Sequence, residues 1–379
     1  MKIGILSLVL HTNYGGILQS YALQTVLERM GHEVVVFDKD RSFHKTVFRQ
    51  GLTFAIFLTF KYIFRKNVVY HNLCKLDRER RKREQNTQTF INKYIHRIIV
   101  KNIGEDLLGD IDAIVVGSDQ VWRPKYFKSQ WAIGIEQAFL QFACSSQIKR
   151  IAYAPSFGTG DWEYSEAETE KCKQLLQLFN AVSVRERSAM TLCEKKLCRS
   201  DVKLVLDPTL LLSKQDYIRL VEKSGIGKSH GNMLCYILDD SEEKQSLVRR
   251  IAKERNFTPF QTNSQIENPY ASPKERIQPP VEQWIRGFMD ADFILTDSFH
   301  ACIFSIIFKK PFIVVGNKER GMARFESLLS MFSLEKNLVY DINEYDSSST
   351  YDVGADACIA LEKLKIESLS FLTQSLKIT

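Results

Sequence analysis

Short apolar runs of β type alternate with stretches whose apolar residues recur at helical spacing, and this alternation limits the fold more than any other feature of the chain. Residues 2–9 form one such run. Residues 17–30 carry the helical spacing and stop before Gly31, and residues 33–37 are the next run, so the chain opens on a βαβ unit. Further runs lie at 113–116, 151–154 and 182–184, with a helical segment near 165–179 between the last two. Apolar β-runs separated by helices predict a parallel sheet covered on both faces.

The turn signal Asp207-Pro208-Thr209 interrupts the pattern, which then starts again. Strand 233–238, helix 241–255, a loop through Pro280, helix 281–289, strand 293–295, helix 301–308 and strand 312–315 follow in order. A length of 379 residues also exceeds one ordinary core. We therefore expect an α/β chain of two doubly wound, Rossmann-like domains facing a cleft, spanning 1–205 and 206–350. A C-terminal helix within 351–379 is expected to pack back on the body. In open parallel sheets ligands sit at the carboxyl ends of the strands, so the cleft is where chemistry is sought.

Composition narrows the partners. With 44% hydrophobic and 26% charged residues and only 9 prolines, the chain is expected to fold throughout. The net charge of +7 comes from one block, because residues 61–101 hold twelve Lys or Arg against three acids and leave 40 bases to 42 acids elsewhere. Such a block suits an anionic surface, and a solvated helix face equally. The apolar stretch 52–64 is too short to span a bilayer, yet with the following basic run it suits peripheral membrane contact through residues 52–83. A buried helix or dimer contact is the plainer reading. Nucleic acid is not expected as a partner. Eight scattered cysteines without C-x-x-C spacing read as reduced thiols, no metal is expected, and no secretory leader is recognised, which together predict a cytoplasmic protein, possible at the inner membrane face.

Four strand-end segments carry candidate chemistry. In His11-Thr12-Asn13-Tyr14-Gly15-Gly16 adjacent glycines open a helix whose free N–H groups suit a ligand, as they suit a tight turn; Asn13, Tyr14, Gly15, Gly16 and Gln19 are the cleft candidates. Gly117-Ser118-Asp119-Gln120-Val121-Trp122 sets a hydroxyl, a carboxylate and an amide at a strand end, so Ser118, Asp119 and Gln120 suit sugar hydroxyls and Trp122 offers a stacking face. A helix cap is the alternative there. Arg185 in Ser183-Val184-Arg185 suits phosphate or carboxylate, or a neighbouring acid. In Thr296-Asp297-Ser298-Phe299-His300 a histidine at a strand-to-helix junction can exchange a proton, with Asp297 near enough to orient it or cap the helix. Lys318, Arg320 and Arg324 downstream extend the cationic set.

Taken together these pieces resemble the polysaccharide pyruvyl transferase family, over Ile3 to roughly Leu334. The resemblance is carried, in order, by NYGGILQSYALQTVLERMGHEV, GSDQVWRP, SVRERSA, LVLDPTLLL and TDSFHACIFSIIFKKPFIVV. It implies the GT-B-type glycosyltransferase architecture, phosphoenolpyruvate as co-substrate with no other cofactor, a glycan or lipid-linked glycan as acceptor, and a pyruvate ketal as product. By motif, His300 matches the family histidine and would be catalytic, and Arg185 matches the donor-binding arginine. Lys318 is a looser match to a donor-binding lysine, with Arg320, Arg324 and Ser298 beside it. Some members have Arg-Leu-His where this chain has Ser298-Phe299-His300, so Arg320 or Arg324 would supply the charge missing there. The rival readings are a nucleotide-sugar glycosyltransferase and a non-catalytic glycan-binding protein of the same fold.

Overall fold

The computed structural model describes residues 1–42, 59, 61, 73–264, 271–272, 274–316 and 321–377. In the first half the chain runs β1 (Lys2–Leu6), α1 (Tyr14–Arg29), β2 (Glu33–Lys39), α2 (Leu73–Tyr94), β3 (Arg97–Val100), β4 (Ala113–Val116), α3 (Pro124–Trp131), β5 (Lys149–Ala152), α4 (Glu166–Leu176), β6 (Ala181–Val184), α5 (Arg187–Leu197) and β7 (Lys203–Leu204). The second half runs α6 (Lys214–Ser224), β8 (Met233–Tyr236), α7 (Glu242–Arg255), β9 (Pro259–Phe260), α8 (Val281–Asp290), β10 (Phe293–Thr296), α9 (Phe299–Phe308), β11 (Phe312–Val315), α10 (Met322–Met331), β12 (Leu338–Val339) and α11 (Ala355–Leu376).

The strands form two parallel sheets, ordered β3-β2-β1-β4-β5-β6-β7 and β12-β11-β10-β8-β9. This is the doubly wound, two-domain α/β fold expected from the alternation. The central strands β4, β8, β10 and β11 are buried along their whole length, because helices cover both faces, and their mainly apolar sequences follow from that. Strand order reverses between β1 and β4 in one sheet and between β8 and β10 in the other. A reversal sends the two adjacent connections to opposite faces and opens a crevice at the strand ends. Both crevices border the same cavity.

Helix starts follow local chemistry. Ser165 with Glu168 and Ser213 with Asp216 form reciprocal capping boxes at α4 and α6, and Ser241 and Ser298 cap α7 and α9. The sequence reading placed α9 at 301–308; the Ser298 cap starts it at Phe299, so His300 lies inside the first helical turn. Helix α11 rests near the crossing between the sheets, where the Ser368 hydroxyl accepts from the Leu206 amide at 3.0 Å. One apolar cluster runs from Ile3 through α1 to Trp284, Phe304 and Leu372, so the two halves share a core. Across that seam Tyr14 stacks on Trp284 at 5.5 Å and donates to the Pro279 carbonyl at 2.8 Å. Among the described residues no helix is long and apolar enough to cross a membrane.

The basic block is largely helix α2, and it is less open than its sequence implies. Buried Asp77 and Glu84 draw in Arg80, Arg81, Arg83 and Arg41, leaving Lys75 and Arg78 on the exposed side. Residues 52–58, 60 and 62–72 of the apolar and basic stretch lie outside the described residues.

Candidate active site

A cavity of about 320 Å³ lies where the two crevices meet. The first sheet contributes His11, Thr12, Asn13 and Gly15 from the turn after β1, and Asp119 and Gln120 from the segment after β4. From the second come Tyr236 at the end of β8 and Leu238 beyond it, Asp297, Ser298 and His300 after β10, and Arg324 from α10.

His300 enters from α9 and seats its ring on α1. A Cβ built on Gly15 would lie 2.0 Å from His300 Nδ1, so only glycine permits this approach. The histidine is 7% exposed, and its Nε2 has no hydrogen-bond partner among the described residues, standing 3.9 Å from Asp207 Oδ2. Burial lowers its proton affinity; Asp207 and Asp119 oppose that, whereas Arg185 and Arg324 reinforce it. A Gly15→Ala variant is therefore expected to lose turnover through a displaced His300 and to melt no higher than wild type. Ordinarily the same change inside a helix stabilises by about 1 kcal/mol. Turnover and thermal denaturation on one preparation check both halves; a stabilised variant with wild-type turnover would show that the ring does not rest there.

Beneath the histidine lies a buried ion cluster. Arg185 donates to Asp119 Oδ1 at 3.0 Å and to Asp207 Oδ2 at 2.9 Å, and its Nε lies 3.7 Å from Glu186 Oε2. Gln19 also donates to Asp207 Oδ2, and to the Ser118 hydroxyl at 3.0 Å. Burial works against the charged form of Asp119, but Arg185, His300 and Arg324 outweigh it and hold the carboxyl below the ordinary range. Burial likewise opposes the Arg185 cation, and the carboxylates Asp119, Asp207 and Glu186 more than restore it. Glu186 is shifted up by burial, and its Oε1 accepts from Ser156 and from the Phe157 amide.

This arrangement corrects three readings. Arg185 does not border the cavity, which Arg324 does; it is 2% exposed and its fork is engaged by carboxylates. Trp122 offers no stacking face: it is fully buried, stacked on Phe139 at 4.8 Å and donating to the Ala138 carbonyl, because the chain after β4 turns it into the first core. Asp297 neither orients His300 nor caps α9, since its oxygens accept from the Leu238 and Asp239 amides and from Lys244. Ser298 is the cap, and Asp207 is the carboxylate facing the histidine.

Of the remaining candidates, Asn13, Gly15, Asp119, Gln120, Ser298, His300 and Arg324 meet at the cavity. Tyr14 joins the aromatic seam behind it, Gln19 and Ser118 belong to the buried network, and Gly16 lies beside Asn13 on α1. Lys318 and Arg320 lie outside the described residues. Arg324 is 6% exposed and lies over the Phe299 ring at 5.2 Å, with Arg185 over the same ring at 4.6 Å. Burial, with Arg185 second, pushes the Arg324 guanidinium down to about 10. Sequence reasoning treated Asp207 only as a turn and passed over Glu186 and His11. The Asx signal at Asp207 was visible, but its reach to residues on three other segments was not. Among the described residues no group of three His, Cys, Asp or Glu is placed to hold a metal ion.

Comparison with known proteins is consistent in family and loose in structure. No curated protein sequence matches the chain. Solved structures that overlay on it include the UDP-GlcNAc 2-epimerase of Neisseria meningitidis, 12% identical with a TM-score of 0.48, covering 100% of this chain and 95% of that one. Another is the sucrose-phosphate synthase of Thermosynechococcus elongatus, 11% identical with a TM-score of 0.49, covering 99% and 98%. Overlays this loose carry no chemistry across. The family model described as polysaccharide pyruvyl transferase, in contrast, matches residues 13–319, from the turn that seats His300 to the segment after β11. The chain belongs to the polysaccharide pyruvyl transferase family.

Proposed function

We propose that this protein transfers the pyruvyl group of phosphoenolpyruvate to two hydroxyls of a sugar in a glycan or lipid-linked glycan, forming a pyruvate ketal. The observation that carries the reading is the meeting of His300 and Arg324 on one cavity between the two sheets of a chain in this family. In the reaction the enol carbon C3 gains a proton and both sugar oxygens bond to C2, while the C2–O bond to phosphate breaks. Of the two hydroxyl protons released, one balances the proton delivered to C3 and the other leaves with phosphate. His300 delivers the proton to C3 and recovers one from a hydroxyl. Arg324 pairs with the donor's anionic groups and stabilises charge growing on the leaving phosphate, an effect commonly worth several kcal/mol. Asn13, Asp119 and Gln120 face the cavity as hydrogen-bonding groups for the sugar.

Incubation with phosphoenolpyruvate and candidate lipid-linked glycans tests this directly. The expected result is release of inorganic phosphate together with a product heavier by one pyruvate less one water. Release of nucleotide from an activated sugar, with no phosphate from phosphoenolpyruvate, would establish the glycosyltransferase reading instead.

A lipid-linked acceptor would bring the protein to a membrane, and the exposed side of α2 supports weak attachment to anionic lipid. Neutralising all of 78–83 would confound the test, because Arg80 and Arg83 balance buried Glu84. Exchanging Lys75, Arg78 and Lys82 for glutamine is the cleaner variant. Wild type is expected to pellet with anionic vesicles at low salt and the variant to pellet less. Equal pelleting of the two would remove membrane contact from the reading.

A further inference from the structure

We infer that Asp207, on the crossing between the domains, is a positioning residue for His300 whose carboxylate keeps that histidine able to carry a proton. The inference deepens the proposed function, but its decisive measurement needs no substrate.

Asp207 follows β7 and opens a short helical turn at Pro208–Leu211. Its Oδ1 is fixed by the Thr209 amide at 3.1 Å and the Thr209 hydroxyl at 2.7 Å. Its Oδ2 takes Arg185 Nη1 at 2.9 Å and the Gln19 amide, and the same oxygen is the acidic atom facing His300 Nε2 at 3.9 Å. That gap is too long for a hydrogen bond, yet well within the range at which one charge changes the proton affinity of another. Four anchors from three segments hold the carboxylate, so it cannot swing away when the histidine is neutral.

The charged groups around the imidazole come from several elements. Asp119 after β4 and Asp207 on the crossing favour the imidazolium; Arg185 after β6 and Arg324 on α10 oppose it. Gly15 of α1 contributes only backbone against the ring. Burial alone favours the neutral ring, whose one N–H is far too weak an acid to protonate an enol carbon. The carboxylates offset part of that burial, and the ring's proton affinity stays below the ordinary value. Both stand on the chain before the second sheet, whereas His300 stands on α9 within it, so the acid's readiness depends on how the two halves are closed.

The test is an NMR titration of the His300 ring nitrogens in ¹⁵N-histidine-labelled protein, with the signal assigned by its loss in His300→Gln. In Asp207→Asn the protonated form is expected to survive only to lower pH. Its fraction at a fixed pH above the transition should fall roughly tenfold, the usual consequence of removing one neighbouring charge. Asp119→Asn should move the titration in the same direction, and Asp207→Ser, which removes the same charge, takes the place of Asp207→Asn if the latter does not fold. Thr209→Val, which leaves the carboxylate charge in place, should leave the titration close to wild type. Unchanged His300 titration in a folded protein that lacks the Asp207 charge would overturn the inference. A shifted titration in a protein that releases no phosphate from phosphoenolpyruvate would leave it standing and count against the proposed reaction alone. With an active enzyme, the alkaline limb of the turnover–pH profile should move to lower pH in Asp207→Asn, a change that a purely structural role would not produce.

Discussion

His300→Ala is expected to lower turnover by roughly a hundredfold or more, the usual loss when a general acid or base is removed. Donor affinity should change much less. Arg324, which faces the same cavity from α10, is untouched by the substitution and keeps its place over Phe299. The two effects separate by measuring phosphoenolpyruvate binding by calorimetry and single-turnover rates on the same protein. Because the ring fills space against Gly15, His300→Gln serves as a companion that keeps polarity and most of the volume. Both variants should be inactive if the imidazole proton matters, whereas recovery in His300→Gln would assign the loss to packing. Near wild-type turnover in His300→Ala would end the catalytic assignment and leave a structural histidine.

Arg185→Met is expected to destabilise the fold by about 3–5 kcal/mol, the usual cost of breaking a buried ion pair by removing one partner. Three carboxylates face this one guanidinium: Asp119 and Asp207 through hydrogen bonds, and Glu186 through proximity. All are buried to within a few per cent, so water cannot take over the lost charge. Arg185→Lys should recover part of the stability, because an ammonium can meet one carboxylate but lacks the planar fork that meets two. Urea unfolding of wild type and both variants gives the comparison. A stable Arg185→Met protein that no longer bound phosphoenolpyruvate would reverse the assignment and return this arginine to the donor site.

These two residues show where sequence reading stops. The alternation of apolar β-runs and helical spacing determined the α/β class, the doubly wound sheets and the strand ends at which chemistry sits, because periodicity and turn residues are local properties. Strands of two residues, such as β7, β9 and β12, were beyond that reading, since no period can show in so short a run. Helix α6 was also passed over, although its Ser213–Asp216 capping box was legible. The segments bearing Gly15, Asp119, Arg185 and His300 could be marked from sequence, and their order pointed to the family. What each side chain meets could not. Arg185 and Trp122 were marked by residue type as ligand contacts, and packing turned both inward, the first onto Asp119 and Asp207 and the second onto Phe139. Asp207 is 93 residues from His300 in the chain and becomes its carboxylate neighbour only when the second sheet closes on the first. Local signals determine which elements form, whereas the burial and pairing of a charge depend on long-range packing, and here only that packing selected Arg324 over Arg185 for the cavity.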